Sequence, residues 1–251
     1  FVSVISVFIT LHRLSKNILI SVFIYITLAT YLFFFNGARQ GISASIFGFA
    51  LINVINRKPI RYFLFVFLAF LFHKTVIVML PFYYILHSKF TIKRIIIFSI
   101  FTFISIGLLS DILMLFDDNF QQRYVQYLDR GKLGGQFLGL FYILLALFFI
   151  FIRQYISNKN IKDYDVYLYL TFFTALIYVA VISTDLDVNL LRLTLYFSFG
   201  HLLIWPLIFE DVKFFKNYGG RPLFYLIHFL FFYFFLNQMR GYLPYQFNEF
   251  M

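Results

Sequence analysis

The chain has 251 residues, 62% apolar and 13% charged, and its 40 Phe and 19 Tyr lift the aromatic share to 24%. Globular domains run at about 45–50% apolar and about 25% charged, so this balance excludes a soluble domain, and disorder with it. The formal net charge of +10 would suit nucleic acid in a soluble protein, but the first explanation to test here is membrane topology.

Lipid admits only helices or closed barrels. The apolar runs are continuous rather than alternating, as at Ile143–Ile152, which excludes a barrel. The expected fold is therefore all-α: a polytopic membrane helix bundle. Ten runs follow one another, at 1–11, 18–35, 40–55, 60–72, 75–87, 95–110, 136–152, 166–184, 192–209 and 223–237. Each reads as a short or full membrane segment of a single domain over 1–251, with 111–135 as an outer interfacial loop. A crossing helix needs about 20 residues. Phe1–Leu11 falls short of that, and the chain reads as a fragment with upstream helices missing. No cysteine is present, which removes a disulfide framework, a thiolate metal site and a cysteine nucleophile together.

The third run opens on Asn36-Gly-Ala-Arg-Gln-Gly-Ile-Ser43. Asn36, Arg39, Gln40 and Ser43 recur at helical spacing and predict one polar face. Gly37 and Gly41, then Ala44 and Gly48, form small-residue pairs that let neighbouring helices approach closely.

Tyr62–Leu86 is ambiguous: one 25-residue helix with His73 and Lys74 at its centre, or two short segments meeting at that pair. Charge arbitrates. With two segments, 14 of the 21 Lys and Arg fall on one side and 7 on the other. With one helix the count is even and Lys74 is stranded mid-membrane. Cytoplasmic loops collect Lys and Arg, so two short or re-entrant segments are predicted, with His73 on the outer side. The same assignment places the whole positive excess inside, and nucleic acid is not needed.

Arg39, His73, Lys74, Arg123 and Arg192 then gather outside, against the usual bias. Cations near membrane depth are costly and usually face a polar cavity, although snorkelling to headgroups is the plainer alternative for any one of them. In the outer loop, Arg123, Tyr127 and Arg130 share a face and suit a helix lying on the membrane surface. Further on, Asp185, Asn189, Arg192 and Tyr196 fall on one face of a helix begun near Asp185. His201 lies about 180° round that helix from Arg192 and reads as a buried histidine bonded within the bundle. His228 sits mid-helix, and His12 and His87 read as headgroup contacts. Asp117-Asp118 is a weak metal candidate only, and HExxH, GxSxG and Gly-rich nucleotide loops are absent.

Arg39-Gln40 in a small-residue helix, a basic inner turn, a run ending Phe72-His73-Lys74-Thr75, a basic Tyr-rich outer loop and Arg192 with Tyr196 four residues on make a pattern. It resembles the EpsG family of bacterial polysaccharide polymerases, related to Wzy-type O-antigen and capsule polymerases, over about residues 30–210. The resemblance implies a multi-pass protein of the bacterial plasma membrane with an outward-facing site, active in exopolysaccharide or other cell-envelope glycan synthesis. It implies an undecaprenyl-diphosphate-linked glycan as donor and another as acceptor, with no cofactor, no metal and no nucleic acid. Partners would be the lipid bilayer and, among proteins, a flippase and a chain-length regulator.

The residues fit that chemistry. A diphosphate leaving group needs its growing charge neutralised, and Arg offers a planar donor fork for it. Arg39, Arg192, Lys74 and Arg123 are the diphosphate candidates. The acceptor hydroxyl needs a base, for which His73 comes first and Asp185 or Asp187 second. Gln40, Asn189 and Tyr196 would support them. Two other classes remain open. A membrane acyltransferase fed by cytoplasmic acyl-CoA would need its His facing inward. An anionic-lipid carrier or flippase would need charges through the depth of several helices.

Overall fold

The computed structural model describes residues 1–32, 37–116, 133–183, 188–217 and 219–238. Among them every regular element is helical. In chain order these are α1 (Val2–Leu14), α2 (Ile18–Thr27), α3 (Ala38–Ile55), α4 (Pro59–Phe70), α5 (Phe82–Leu86), α6 (Ile92–Phe116) and α7 (Leu133–Ile152). They continue as α8 (Ile161–Ser183), α9 (Thr194–Phe197), α10 (Phe199–Asp211), α11 (Lys213–Lys216) and α12 (Arg221–Gln238). Short 3-10 turns join several of them, notably Lys74–Met79 and Val188–Leu193.

The expectation of about ten membrane segments is met only in part. Among the described residues, four stretches are long and apolar enough to cross a bilayer: Ala38–Ile55, Gln136–Tyr155, Ile161–Ser183 and Leu190–Asp211. Val2–Leu14, Ile18–Thr27, Pro59–Phe70 and Arg221–Asn237 are apolar but shorter. Hydropathy alone does not distinguish a full crossing from a shorter apolar helix packed in the bundle.

α8 is the hub. Of its apolar window 83% is buried, against 28% for the window on α7, so α8 runs through the centre and α7 along the rim. α8 packs on α7 and α10, and α3 packs on α1 and α4. The exposed stripe on α7, Leu140, Leu144, Leu147 and Phe151, recurs at helical spacing and fits contact with lipid tails. Two glycines mark close approaches between helices. A Cβ on Gly200 would lie 2.7 Å from the Thr171 backbone nitrogen and 2.8 Å from the Tyr167 carbonyl, on α8. One on Gly48 would lie 2.5 Å from Thr10 Oγ1 and 2.8 Å from Phe199. The small-residue seam expected on α3 therefore does bring helices close at Gly48.

The basic turns share one end of the bundle. There Arg153 pairs with Asp165 (2.6 Å) and Lys159 with Glu210 (2.7 Å). Asp211 accepts from the Ser157 amide and hydroxyl and from Asn160. His87 lies at the same end but does more than meet headgroups. Its two ring nitrogens sit 2.6 Å from the Tyr83 carbonyl and 3.0 Å from the Val54 carbonyl, tying α5 to the end of α3.

Tyr62–Leu86 is two segments. α4 starts at the basic end, with Pro59 in its first turn where the missing N–H costs nothing. His73 leaves helical geometry (φ −153°, ψ 119°) and the chain returns through the 3-10 turn and α5 to His87. The Tyr62 hydroxyl donates to the Met79 carbonyl across this hairpin. Phe82 wedges between Phe173 (4.7 Å) and Phe197 (4.9 Å), which fixes the returning arm against α8 and α9. His73 thus stands at the end opposite the basic turns.

Candidate active site at the non-basic end

Four side chains from three distant parts of the sequence form one hydrogen-bonded chain at this end. His73 Nδ1 lies 2.7 Å from Thr75 Oγ1, Thr75 Oγ1 lies 3.0 Å from the Tyr196 hydroxyl, and that hydroxyl donates to Ser43 Oγ at 3.3 Å. The direction of the last bond sets the others. Tyr196 has one proton and gives it to Ser43, so Thr75 must donate to Tyr196. Thr75 then has only lone pairs for His73, whose Nδ1 must carry the proton. The network leaves Nε2 as the lone-pair nitrogen, the form in which histidine can take a proton.

Each member is positioned by its element. His73 and Thr75 sit at the hairpin tip, Ser43 is fully buried one turn into α3, and Tyr196 is fully buried on α9. The Phe47 ring meets Tyr196 edge-on at 6.2 Å and Tyr62 at 6.3 Å, bracing α3 against α9 and α4.

Arg192 borders this chain. Gln40, 4% exposed, donates from Nε2 to the Arg192 backbone carbonyl at 2.9 Å, which locks the 3-10 turn to the start of α3. The Arg192 side chain is exposed. His73, in the turn between the two arms, is held below its ordinary value of 6.5, first by burial and second by the positive charge of Arg192. Both effects favour the neutral ring. Lys74 is exposed at the same turn, and Arg39 is exposed in the first turn of α3 beside Gln40. The predicted α3 stripe therefore splits: Gln40 and Ser43 turn inward and Arg39 outward.

Of the expected site residues, His73 and Tyr196 join one network, with Gln40 bonded to the Arg192 backbone at its edge and Arg39 and Lys74 exposed at the same end. Asp185, Asp187, Arg123 and the 117–132 part of the expected outer loop lie outside the described residues, as do Asn36, the Asp117-Asp118 pair and the Asn189 side chain.

Over the described residues, Arg192 and Tyr196 do not share one continuous α-helix. Val188–Leu193 is a 3-10 turn, followed by α9 and a break at Ser198. A 3-10 turn takes 3.0 residues rather than 3.6, so one α-helical register does not run through this stretch. Arg192 and His201, nine residues apart, both line one cavity of about 250 Å³. His201 is not bonded as expected: its Nε2 is buried and unpartnered among the described residues. His228, by contrast, bonds the Phe224 carbonyl through Nδ1 at 2.9 Å.

The EpsG family model matches residues 1–247, so the chain belongs to the EpsG family, a Wzy-type polysaccharide-polymerase-like family. No curated protein and no solved structure matches it.

Proposed function

We propose that this EpsG-family chain is a membrane glycosyltransferase joining undecaprenyl-diphosphate-linked oligosaccharide repeat units during surface polysaccharide synthesis. The site end faces outward and the basic end faces the cytoplasm, in keeping with the positive-inside rule. The observation that carries the reading is the ordered chain from His73 to Ser43 beside Arg192. It supplies a fixed neutral base within reach of a cation suited to diphosphate.

In the step itself, the acceptor sugar hydroxyl attacks the anomeric carbon of the donor. The new carbon–oxygen bond forms as the bond to the lipid diphosphate breaks. The hydroxyl proton passes to His73 Nε2, and the electron pair leaves with the diphosphate. Arg192, with Arg39 and Lys74, holds the leaving oxygens as their charge grows, which is where electrostatic stabilisation contributes most. Thr75 and Tyr196 hold the imidazole in one tautomer and orientation.

The test is genetic and chemical. Deleting the gene should leave single lipid-linked repeat units in the membrane and no polymer. Normal polymer lacking only an acyl substituent would overturn the reading in favour of an acyltransferase.

A further inference from the structure

Arg192 also lines the 250 Å³ cavity between the 28–32 segment, which follows α2, and helices α7, α8, α9, α10 and α12. We propose that this cavity is a sugar-ring site, which holds the residue attached directly to the diphosphate while Arg192 holds the diphosphate at the mouth. The proposal rests on the lipid-diphosphate reading above and names a specificity site within it.

Size comes first. Pockets for drug-sized ligands run at about 300–1,000 Å³, so this one takes a single ring rather than an oligosaccharide. Its lining includes Arg192 and, nine residues further along the chain, the buried His201.

The polar lining decides the chemistry. Thr174 donates to the Leu170 carbonyl (3.1 Å), Thr194 to Leu191 (2.6 Å) and Ser198 to Leu195 (2.8 Å). Each hydroxyl has spent its one proton on its own helix and offers the cavity only lone pairs. A fitting occupant must bring donors of its own. Sugar hydroxyls do, and a polyprenyl tail does not: it would leave the buried nitrogen of His201 without a partner. Beyond Arg192 no lysine, arginine or carboxylate lines the cavity among the described residues, so the interior suits a neutral group.

One wall is aromatic. Tyr142 stacks on Tyr178 (5.1 Å, 30°) and meets the His201 ring at 4.8 Å. The slightly positive C–H face of a pyranose lies well against the negative face of such a ring.

The experiment compares lipids. Purified protein is titrated with undecaprenyl diphosphate, and with undecaprenyl diphosphates each carrying one hexose, one N-acetylhexosamine or one 6-deoxyhexose. At least one glycosylated lipid should bind the wild type tenfold or more tighter than the bare lipid. Thr174→Val with Ser198→Ala should bring that ratio toward one, and binding of the bare lipid by the variant reports that its fold survives. Equal binding of all four lipids by the wild type overturns the sugar site and leaves the diphosphate reading standing. So does a double variant that keeps the wild-type ratio. Binding of none of the lipids overturns the diphosphate reading, and the sugar site falls with it.

Discussion

At the scale of single residues, the account turns on protons. His73 must be neutral to act, and both burial and the Arg192 charge hold its pKa below 6.5. The base form is therefore lost only as pH falls through a value beneath 6.5. Imidazole NMR of histidine-labelled protein, with His73→Gln to assign the signal, should show that midpoint. Arg192→Gln should raise it partway, since burial is the larger cause, and Arg192→Lys should leave it in place. A midpoint above 6.5, or one indifferent to Arg192→Gln, contradicts the arrangement. Tyr196→Phe removes the hydroxyl between Thr75 and Ser43. It should lower stability by about 0.5–1.5 kcal/mol, measured as a drop in melting temperature in detergent, and should slow chain growth because the imidazole loses its fixed tautomer. Sequence alone points to His73, Gln40, Arg192 and Tyr196, because polar residues in so apolar a chain stand out. It does not show that Thr75 links them, since Thr75 is polar but unremarkable. The cavity tyrosines are hidden for the opposite reason, among 60 aromatic residues.

At the scale of elements, two joints decide the geometry. The first is the hairpin tip at His73, which the distribution of charge around Tyr62–Leu86 is enough to locate. The second is the Val188–Leu193 turn, which sequence periodicity misses because it assumes 3.6 residues per turn throughout. Helix spacing gives a sharper prediction. The Cβ of an alanine at Gly200 would meet α8 backbone that cannot swing aside. Gly200→Ala should therefore cost about 1–3 kcal/mol by overpacking and lower the folded yield. At Gly48 the nearest atoms are side-chain ends, Thr10 Oγ1 and Phe199 Cζ, so Gly48→Ala should cost less. Fluorescence-detected size exclusion after graded heating would rank the two, and the opposite ranking would contradict the packing.

At the scale of the whole molecule, composition alone establishes a membrane bundle, whereas the number of crossings needs the packing. The two ends differ in chemistry: basic turns and ion pairs at one, the His73 network and the cavity mouth at the other. The absence of native cysteine makes their sidedness simple to read. In intact spheroplasts, an impermeant maleimide should label Lys74→Cys and spare Lys89→Cys and Lys159→Cys until the membrane is opened. Equal labelling at positions 74 and 89 would contradict the hairpin's orientation. The proposal that Arg192 grips a diphosphate at the second end is the centre of the account. The most direct measurement is the ladder of glycan lengths made in vesicles by wild type, Arg192→Lys and Arg192→Ala at matched protein levels. Lysine keeps the charge but lacks the bidentate fork, so the Lys variant should lose most chain growth. The Ala variant should lose about 10²–10³-fold, the scale of an oxyanion donor. A normal ladder from Arg192→Lys would contradict the grip, because a residue that merely reaches for headgroups can be replaced by lysine without loss.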